Sequence, residues 1–367
     1  MNRQEILTTL GAFILASGLA IGQTITTFDA PGAGTGAGQG TFSEGISSAG
    51  TTFGYYIDAR GVAHGFVRNK NGDFLTFSAP GAGTAAGQGT FGFSFNPAGT
   101  LAGDYLDAKG AYHGFQRDRD GTITTFDAPG AGIAATQGTL ALNINPAGII
   151  AGYDFDASGV AHGFLRHPNG KFTTFNAPGA GTGAGQGTGT ASCIGLNPEG
   201  EVAGAYIDAS DVLHGYLRSS NGSFTTFSAP GAGTGAGQGT DTDGLNATGT
   251  IPGIYVDSSG VIHGFVRATD GAFTTFDVSA AGTGPGQGTL PEGLNPQGAI
   301  TGAYFDSSNV AHGFLRDRQG AITTFDAPDA GTGAGQGTFP LLNNASGQIT
   351  GYSIDMNGVY HGFLRMP

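Results

Sequence analysis

The 367-residue chain has no tryptophan, one cysteine and only 14 lysines and arginines. With Cys193 as the single thiol, an internal disulfide is excluded, and so is a cysteine-rich zinc site. Stability must then come from a packed core. The 14 basic residues face 27 acidic ones, giving a formal charge of −13. Nucleic-acid binding needs a cationic footprint, so the sign of the charge excludes that class and disfavours anionic membrane surfaces. Charged residues are 11% of the chain, too few for a solvated, disordered polymer.

Long apolar runs are also missing, with one exception. Residues 6–21, ILTTLGAFILASGLAI, follow Arg3 and end near the small residues Ala20 and Gly22. This pattern predicts a signal peptide over residues 1–22, with Gln23 opening the exported chain; an uncleaved anchor is the alternative. Over 23–367 no stretch is long enough to span a bilayer, so the expected location is secreted, periplasmic or at the cell surface.

Glycine is abundant, at 71 residues, and alone would suggest low complexity. The 26 phenylalanines and 11 tyrosines argue otherwise, because they recur at fixed positions. His-Gly-Phe, once His-Gly-Tyr, occurs seven times, at His64, His113, His162, His214, His263, His312 and His361. The intervals are 49, 49, 52, 49, 49 and 49 residues. A Thr-Phe marker repeats in the same series, ending at Phe28, Phe77, Phe126, Phe175, Phe227, Phe276 and Phe325. Each period holds four short strand candidates separated by turn signals. In the third period these signals are Asn145-Pro146-Ala147-Gly148, Asp156-Ala157-Ser158-Gly159 and Asn169-Gly170. The expected fold class is all-β: a seven-bladed β-propeller of four-stranded antiparallel blades over 23–367, closed by the N-terminal strand completing the last blade.

In such a ring the connections alternate between two faces. One face receives the turns at Asp58, Asp107, Asp156, Asp208, Asp257, Asp306 and Asp355, together with the glycine-rich connections. The opposite face receives the third-strand ends, with Arg68 and its six equivalents, and is expected to be more basic. One histidine per blade does not converge on a metal. The seven histidines and seven aspartates therefore read as a structural network, each Asp six residues before its His and starting a turn. No metal, cofactor or catalytic set is expected. The connection, GAGTGAGQGT in its commonest form, lacks the Gly-Lys-Ser/Thr ending of a phosphate loop. A mere connector needs no amide, yet each repeat carries one: Gln39, Gln88, Gln137, Gln186, Gln238, Gln287 and Gln336. These are the candidate ligand-binding residues, suited to hydroxyl-rich ligands. Tyr56, Tyr105, Tyr206, Tyr255 and Tyr304 are candidate stacking platforms in place of tryptophan.

Gly54 to Tyr56, then His-Gly-Phe, then Thr-Phe-Asp-Ala-Pro-Gly, resemble the extracellular repeats of bacterial secreted proteins named for a His-Ala-Phe motif. The likeness spans residues 24–365, with Gly in place of the Ala of the name. It implies an exported repeat protein and transfers no site residue. The strand pattern is also similar to seven-bladed WD-repeat rings, although the tryptophan of their network is absent. Three functions follow as expectations. The first is a multivalent, non-enzymatic module for glycans or wall polymers. The second is a scaffold for protein partners without a small ligand. The third is an enzyme, a lyase or glycoside-active, with one central site.

Overall fold

The computed structural model describes residues 24–191 and 194–367. The signal-peptide expectation and Cys193 lie outside the described residues. Seven repeats, each built from four strands, give 28 strands. Repeat 1 has strands Gly40–Ile46, Thr52–Ile57, Ala63–Arg68 and Phe74–Phe77. Glycine ends most of the tight turns because the chain reverses through a left-handed residue: Gly61 has φ 80° and donates to the Asp58 carbonyl at 2.9 Å, while Asp211 and Asn309 take the same place at φ 61° in repeats 4 and 6. Asn169-Gly170 does not form a two-residue turn with two positive φ values. Only Gly170 is left-handed, and Gly170 N–H bonds the His167 carbonyl at 2.8 Å, so the loop is longer and bulged.

Within a repeat, neighbouring strands pair antiparallel, with Gly54 opposite Phe66 and Gly65 opposite Phe77 in repeat 1. The seven four-stranded repeats are present, but the expected seven-bladed propeller closed by its N-terminal strand is corrected here. The third strand of each repeat also meets the first strand of the next in parallel, through Ala63 and Gly89 and their equivalents, and finally through Tyr360 and Gly40. All strands therefore belong to one sheet, and the three inner strands of every repeat form a closed barrel of 21 strands. The backbone supplies the reason. Ala63 N–H donates to the Gln88 carbonyl at 2.8 Å, and Tyr360 N–H donates to Gln39 at the same distance. Gly89 follows with φ 121°, and a Cβ there would overlap the Ala63 backbone. Only glycine admits this approach.

Closure is corrected with it. The barrel closes through the inner strands, by the Tyr360–Gly40 bridge. The N-terminal strand Ile25–Phe28 lies outside, paired antiparallel with Tyr360–Arg365. In repeat 4 the first strand is reduced to Gly187–Thr188, at the site of the three-residue excess in the sequence period.

The core lies between adjacent repeats. The aromatic residue of each His-Gly-Phe/Tyr motif, such as Phe66, Phe164 and Tyr216, is fully buried. The adjacent glycine leaves room for the ring of the Thr-Phe marker: a Cβ on Gly65 would overlap Phe77. The expected basic face is not presented. The guanidinium of Arg117 lies 5.1 Å from the Phe77 ring of the preceding repeat, and Arg267 lies 4.6 Å from Phe227. Arg365 is 1% exposed. These side chains fold back over aromatic rings and seal the repeat boundaries.

Candidate functional site

The glycine-rich connections and the Asp turns share one face, and the glutamines tie them together. Gln39 Oε1 accepts from Gly36 N–H at 2.9 Å, and its Nε2 donates to the Ala59 carbonyl at 3.2 Å. Gln238, Gln287 and Gln336 repeat both bonds, to Gly235 and Ser258, Gly284 and Ser307, and Gly333 and Met356. Gln137 bonds Ala134 and Ala157. Gln186 accepts from Gly183 and donates to Asp211, and Gln88 accepts from Ala85. A buried threonine two residues on holds the other end, with Ala30 N–H donating to Thr41 Oγ1 at 2.9 Å. Each loop is thus fixed at both ends; Gly36, Ala37 and Gly38 at its tip are exposed and uncharged, with the Gly36 N–H taken by Gln39 and the Gly38 N–H by the Gly358 carbonyl. The sequence does not reveal this use of the amide, because its partners, the Asp211 carboxylate apart, are backbone atoms.

The histidines stand beside the predicted aspartates. Nε2 lies 3.1–3.8 Å from the Asp carboxylate in every repeat, closest for His214 and Asp208. A third member was missed. Nδ1 of His64, His113, His162, His214, His263, His312 and His361 lies 2.8–3.1 Å from Ser78, Asp127, Asn176, Ser228, Asp277, Asp326 and Asp29, respectively. The available signal was a short polar residue directly after every Thr-Phe marker. The aspartates cap their turns: Asp107, Asp156, Asp208, Asp257, Asp306 and Asp355 each accept two backbone N–H groups, as Asp58 does from Arg60 and Val62. Among the described residues, no group of three or more His, Cys, Asp or Glu is placed to hold a metal ion.

The tyrosines stack on these histidines instead of facing solvent. Tyr56, Tyr105, Tyr206, Tyr255 and Tyr304 lie 4.8–5.1 Å from the imidazole rings, centroid to centroid. Tyr56 is 8% exposed and Tyr304 6%, so these rings are not open platforms.

The first strands line the axis, and here the repeats differ. Repeats 2 and 3 place Phe91, Phe93, Leu140 and Leu142 on them, whereas repeat 5 places Asp241 on its strand Gly239–Thr242 with Asp243 just beyond it, and repeat 6 places Glu292. Burial, with Glu44 and Asp241 nearby, pushes the Glu292 carboxyl up to about 8. Burial also raises Asp241 and Asp243 above the usual carboxylate range. Glu292 therefore holds its proton at neutral pH, which lowers the charge of the axis.

No family model matches the chain, and no curated protein matches it by sequence, so the His-Ala-Phe resemblance rests on its motifs alone. Among solved structures, the fold is similar to the BP39L lectin of Burkholderia pseudomallei. The TM-score is 0.58 at 12% identity, over 88% of this chain and 94% of the lectin. It is also similar to a puromycin hydrolase, with a TM-score of 0.50 at 14% identity over 88% of this chain. The match covers 50% of the hydrolase, so this chain spans half of that enzyme's length. At these identities the likeness concerns the fold: a propeller-like ring of repeats. No helix among the described residues is long and apolar enough to cross a membrane.

Proposed function

We propose that this protein is an exported, non-catalytic ring that binds carbohydrate, a glycan or a wall polymer, through its glycine-rich face. The observation that carries this reading is the set of glutamine-stapled loops. Each loop presents uncharged peptide donors and acceptors in a shape fixed before any ligand arrives. Such groups suit hydroxyl-rich ligands, and prior ordering reduces the entropy lost on binding. Seven near-equivalent loops on one ring turn weak single contacts into avidity on a polymer. The similarity to a lectin over nearly its whole length accords with this reading.

The test is a broad glycan array probed with the intact ring, followed by calorimetry on any hit. Binding at more than one ligand per chain is the expected outcome. Gln238→Ala combined with its six equivalents loosens the loops and should reduce binding at least tenfold. A blank array overturns the reading and favours the protein-partner scaffold.

A further inference from the structure

The first strand of each repeat turns one side chain toward the preceding repeat. Five of the seven fill that place with a large apolar group: Phe42, Phe91 and Phe339, or Leu140 and Leu290. In repeat 1 the Phe42 ring stacks on Tyr55 of its own repeat at 4.7 Å and on Tyr360 of repeat 7 at 4.1 Å, centroid to centroid. Repeat 4 has Gly189 in this place. The residue opposite in register is Ala205, whose carbonyl accepts from Gly189 N–H at 2.9 Å. Repeat 4 alone has small apolar residues at both positions.

What this leaves is a cavity of about 220 Å³, bounded at the glycine-rich face by Gln186. Tyr153 and Phe155 of repeat 3, Ala205 and Leu213 of repeat 4, and Asp241 of repeat 5 also bound it. A Cβ built on Gly189 would lie 3.8 Å from the Tyr153 ring, an ordinary contact distance, so the missing side chain belongs beside that ring. The gap is held open by a specific bond. Tyr216 is the single tyrosine among the seven His-Gly-Phe/Tyr motifs, and its hydroxyl donates to the Gly189 carbonyl at 2.7 Å. Roughly 150 Å³ is enough for one benzene ring, so the volume suits a single substituted ring.

Asp241 occupies in repeat 5 the place that Phe42 takes in repeat 1, and it lines this cavity. It is half-buried. Its Oδ1 accepts from Thr242 N–H at 2.7 Å, and no other hydrogen bond reaches the carboxyl among the described residues. Unlike Oδ2 of Asp243, its Oδ2 is not sealed from solvent. The cavity therefore offers one unused acceptor beside aromatic surface. Burial raises the Asp241 carboxyl, so these surroundings disfavour charge, and a neutral donor suits them better than an ammonium.

We propose that the cavity in repeat 4 binds a phenol-type ligand, with one aromatic ring beside Tyr153 in the place of the missing phenylalanine and its hydroxyl donating to Asp241. The stacking of Phe42 shows that this place in the fold accepts a flat ring. A hydrocarbon ring fills the space but leaves the acceptor unused. A pyranose supplies hydroxyls but lacks the flat face that a tyrosine stacks upon. The source is either a free phenolic compound or a tyrosine side chain of a partner protein. This inference does not depend on carbohydrate binding by the loops.

The test is calorimetric titration of the intact chain with p-cresol, alongside ligand-detected NMR. One saturable site per chain is expected, with toluene, benzylammonium and methyl glucoside binding at least tenfold more weakly. Gly189 is not left-handed, so Gly189→Phe, which places there the residue of repeats 1, 2 and 7, should fold and exclude p-cresol. Asp241→Leu, which supplies the residue of repeats 3 and 6, should remove the preference for p-cresol over toluene. N-acetyltyrosine methylamide separates the sources: tighter binding than p-cresol assigns a tyrosine of a partner, and equal or weaker binding assigns a small phenolic compound. The proposal is overturned if p-cresol shows no saturable site, or if toluene, benzylammonium or methyl glucoside binds equally well. It is also overturned if Gly189→Phe binds p-cresol like the parent, or if Asp241→Leu keeps the preference.

Discussion

Asp58 Oδ2 lies 3.5 Å from His64 Nε2, while Asp58 Oδ1 accepts from the N–H groups of Val62 and Arg60 at 3.0 and 2.8 Å. Burial raises the Asp58 carboxyl, but these bonds, with Arg60 and His64, outweigh it and hold the group at about 2. Its six equivalents are also lowered. A carboxyl whose folded value is depressed stabilises the fold above its unfolded value, near 4, and loses that contribution as pH falls toward the folded value. Glu292 has the opposite sign. With its carboxyl at about 8 in the fold, against 4.5 when free, it favours the folded state increasingly as pH drops through that window. Thermal stability should therefore rise from pH 8 toward about 5 and fall below about 4. Melting curves across pH 2–9 check this, and Glu292→Gln should flatten the neutral limb alone. A monotonic loss of stability from pH 8 downward would contradict the assignment.

A second polar belt runs around the opposite mouth. Asn145 Nδ2 donates to the Asn197 carbonyl at 3.2 Å, Asn295 to Asn344 at 3.2 Å, and Asn344 to Ser47 at 3.0 Å. Each Oδ1 also closes its own turn, as Asn145 does for Ile149 N–H at 3.0 Å. Asn145 is 1% exposed, so Asn145→Ala removes the acceptor of the part-buried Ala147 and Ile149 N–H groups and one of two donors to the Asn197 carbonyl, which Gly200 N–H also reaches. The expected cost is about 1–3 kcal/mol. Chemical denaturation measures it, and a cost below a few tenths of a kcal/mol would show that the belt does not couple the repeats.

Much of this architecture is legible in the sequence because it is periodic. The strands, the turns and the Asp–His pair six residues apart all follow from the recurrence of His-Gly-Phe and Thr-Phe. The parallel bridges do not, because Gln88-Gly89 carries no strand signal and its bond uses the Gln carbonyl. The role of the glutamine amide is hidden for a similar reason: Gly36 N–H and the Ala59 carbonyl are backbone atoms that any residue supplies. The arginines were expected on an open face because their Cα positions lie at strand ends. Their long side chains instead reach back over Phe77 or Phe227. Gly189 and Ala205 become meaningful only when the register sets them opposite one another.

The arginine–phenylalanine contacts predict a cost for a nominally conservative change. Arg267 is 8% exposed, and burial lowers its guanidinium below the usual range. The group lies over the Phe227 ring at 4.6 Å, where a flat cation fits and a hydrated ammonium does not. Arg267→Lys should destabilise by about 0.5–2 kcal/mol. The loss should appear equally in low and high salt, since the contact is shielded from solvent; a loss that disappears in high salt would indicate an exposed charge pair instead.

Ring closure gives the last prediction. The outer strand Ile25–Phe28 pairs with Tyr360–Arg365, and Phe28 reaches into repeat 1, 6.5 Å from Phe66 and 4.5 Å from the Arg68 guanidinium. The inner barrel closes independently, through Tyr360 N–H donating to Gln39 at 2.8 Å. A chain beginning at Asp29 should therefore keep the circular dichroism of the ring but melt lower. Its exposed Tyr360–Arg365 edge should also promote self-association, because an unpaired strand edge is a template for another chain. A synthetic 24–29 peptide added in trans should restore the melting temperature. If deletion instead abolishes the sheet signal, the outer strand closes the ring and the inner bridge is too weak to do so. If deletion changes neither the melting temperature nor the sedimentation, the strand contributes nothing to the fold.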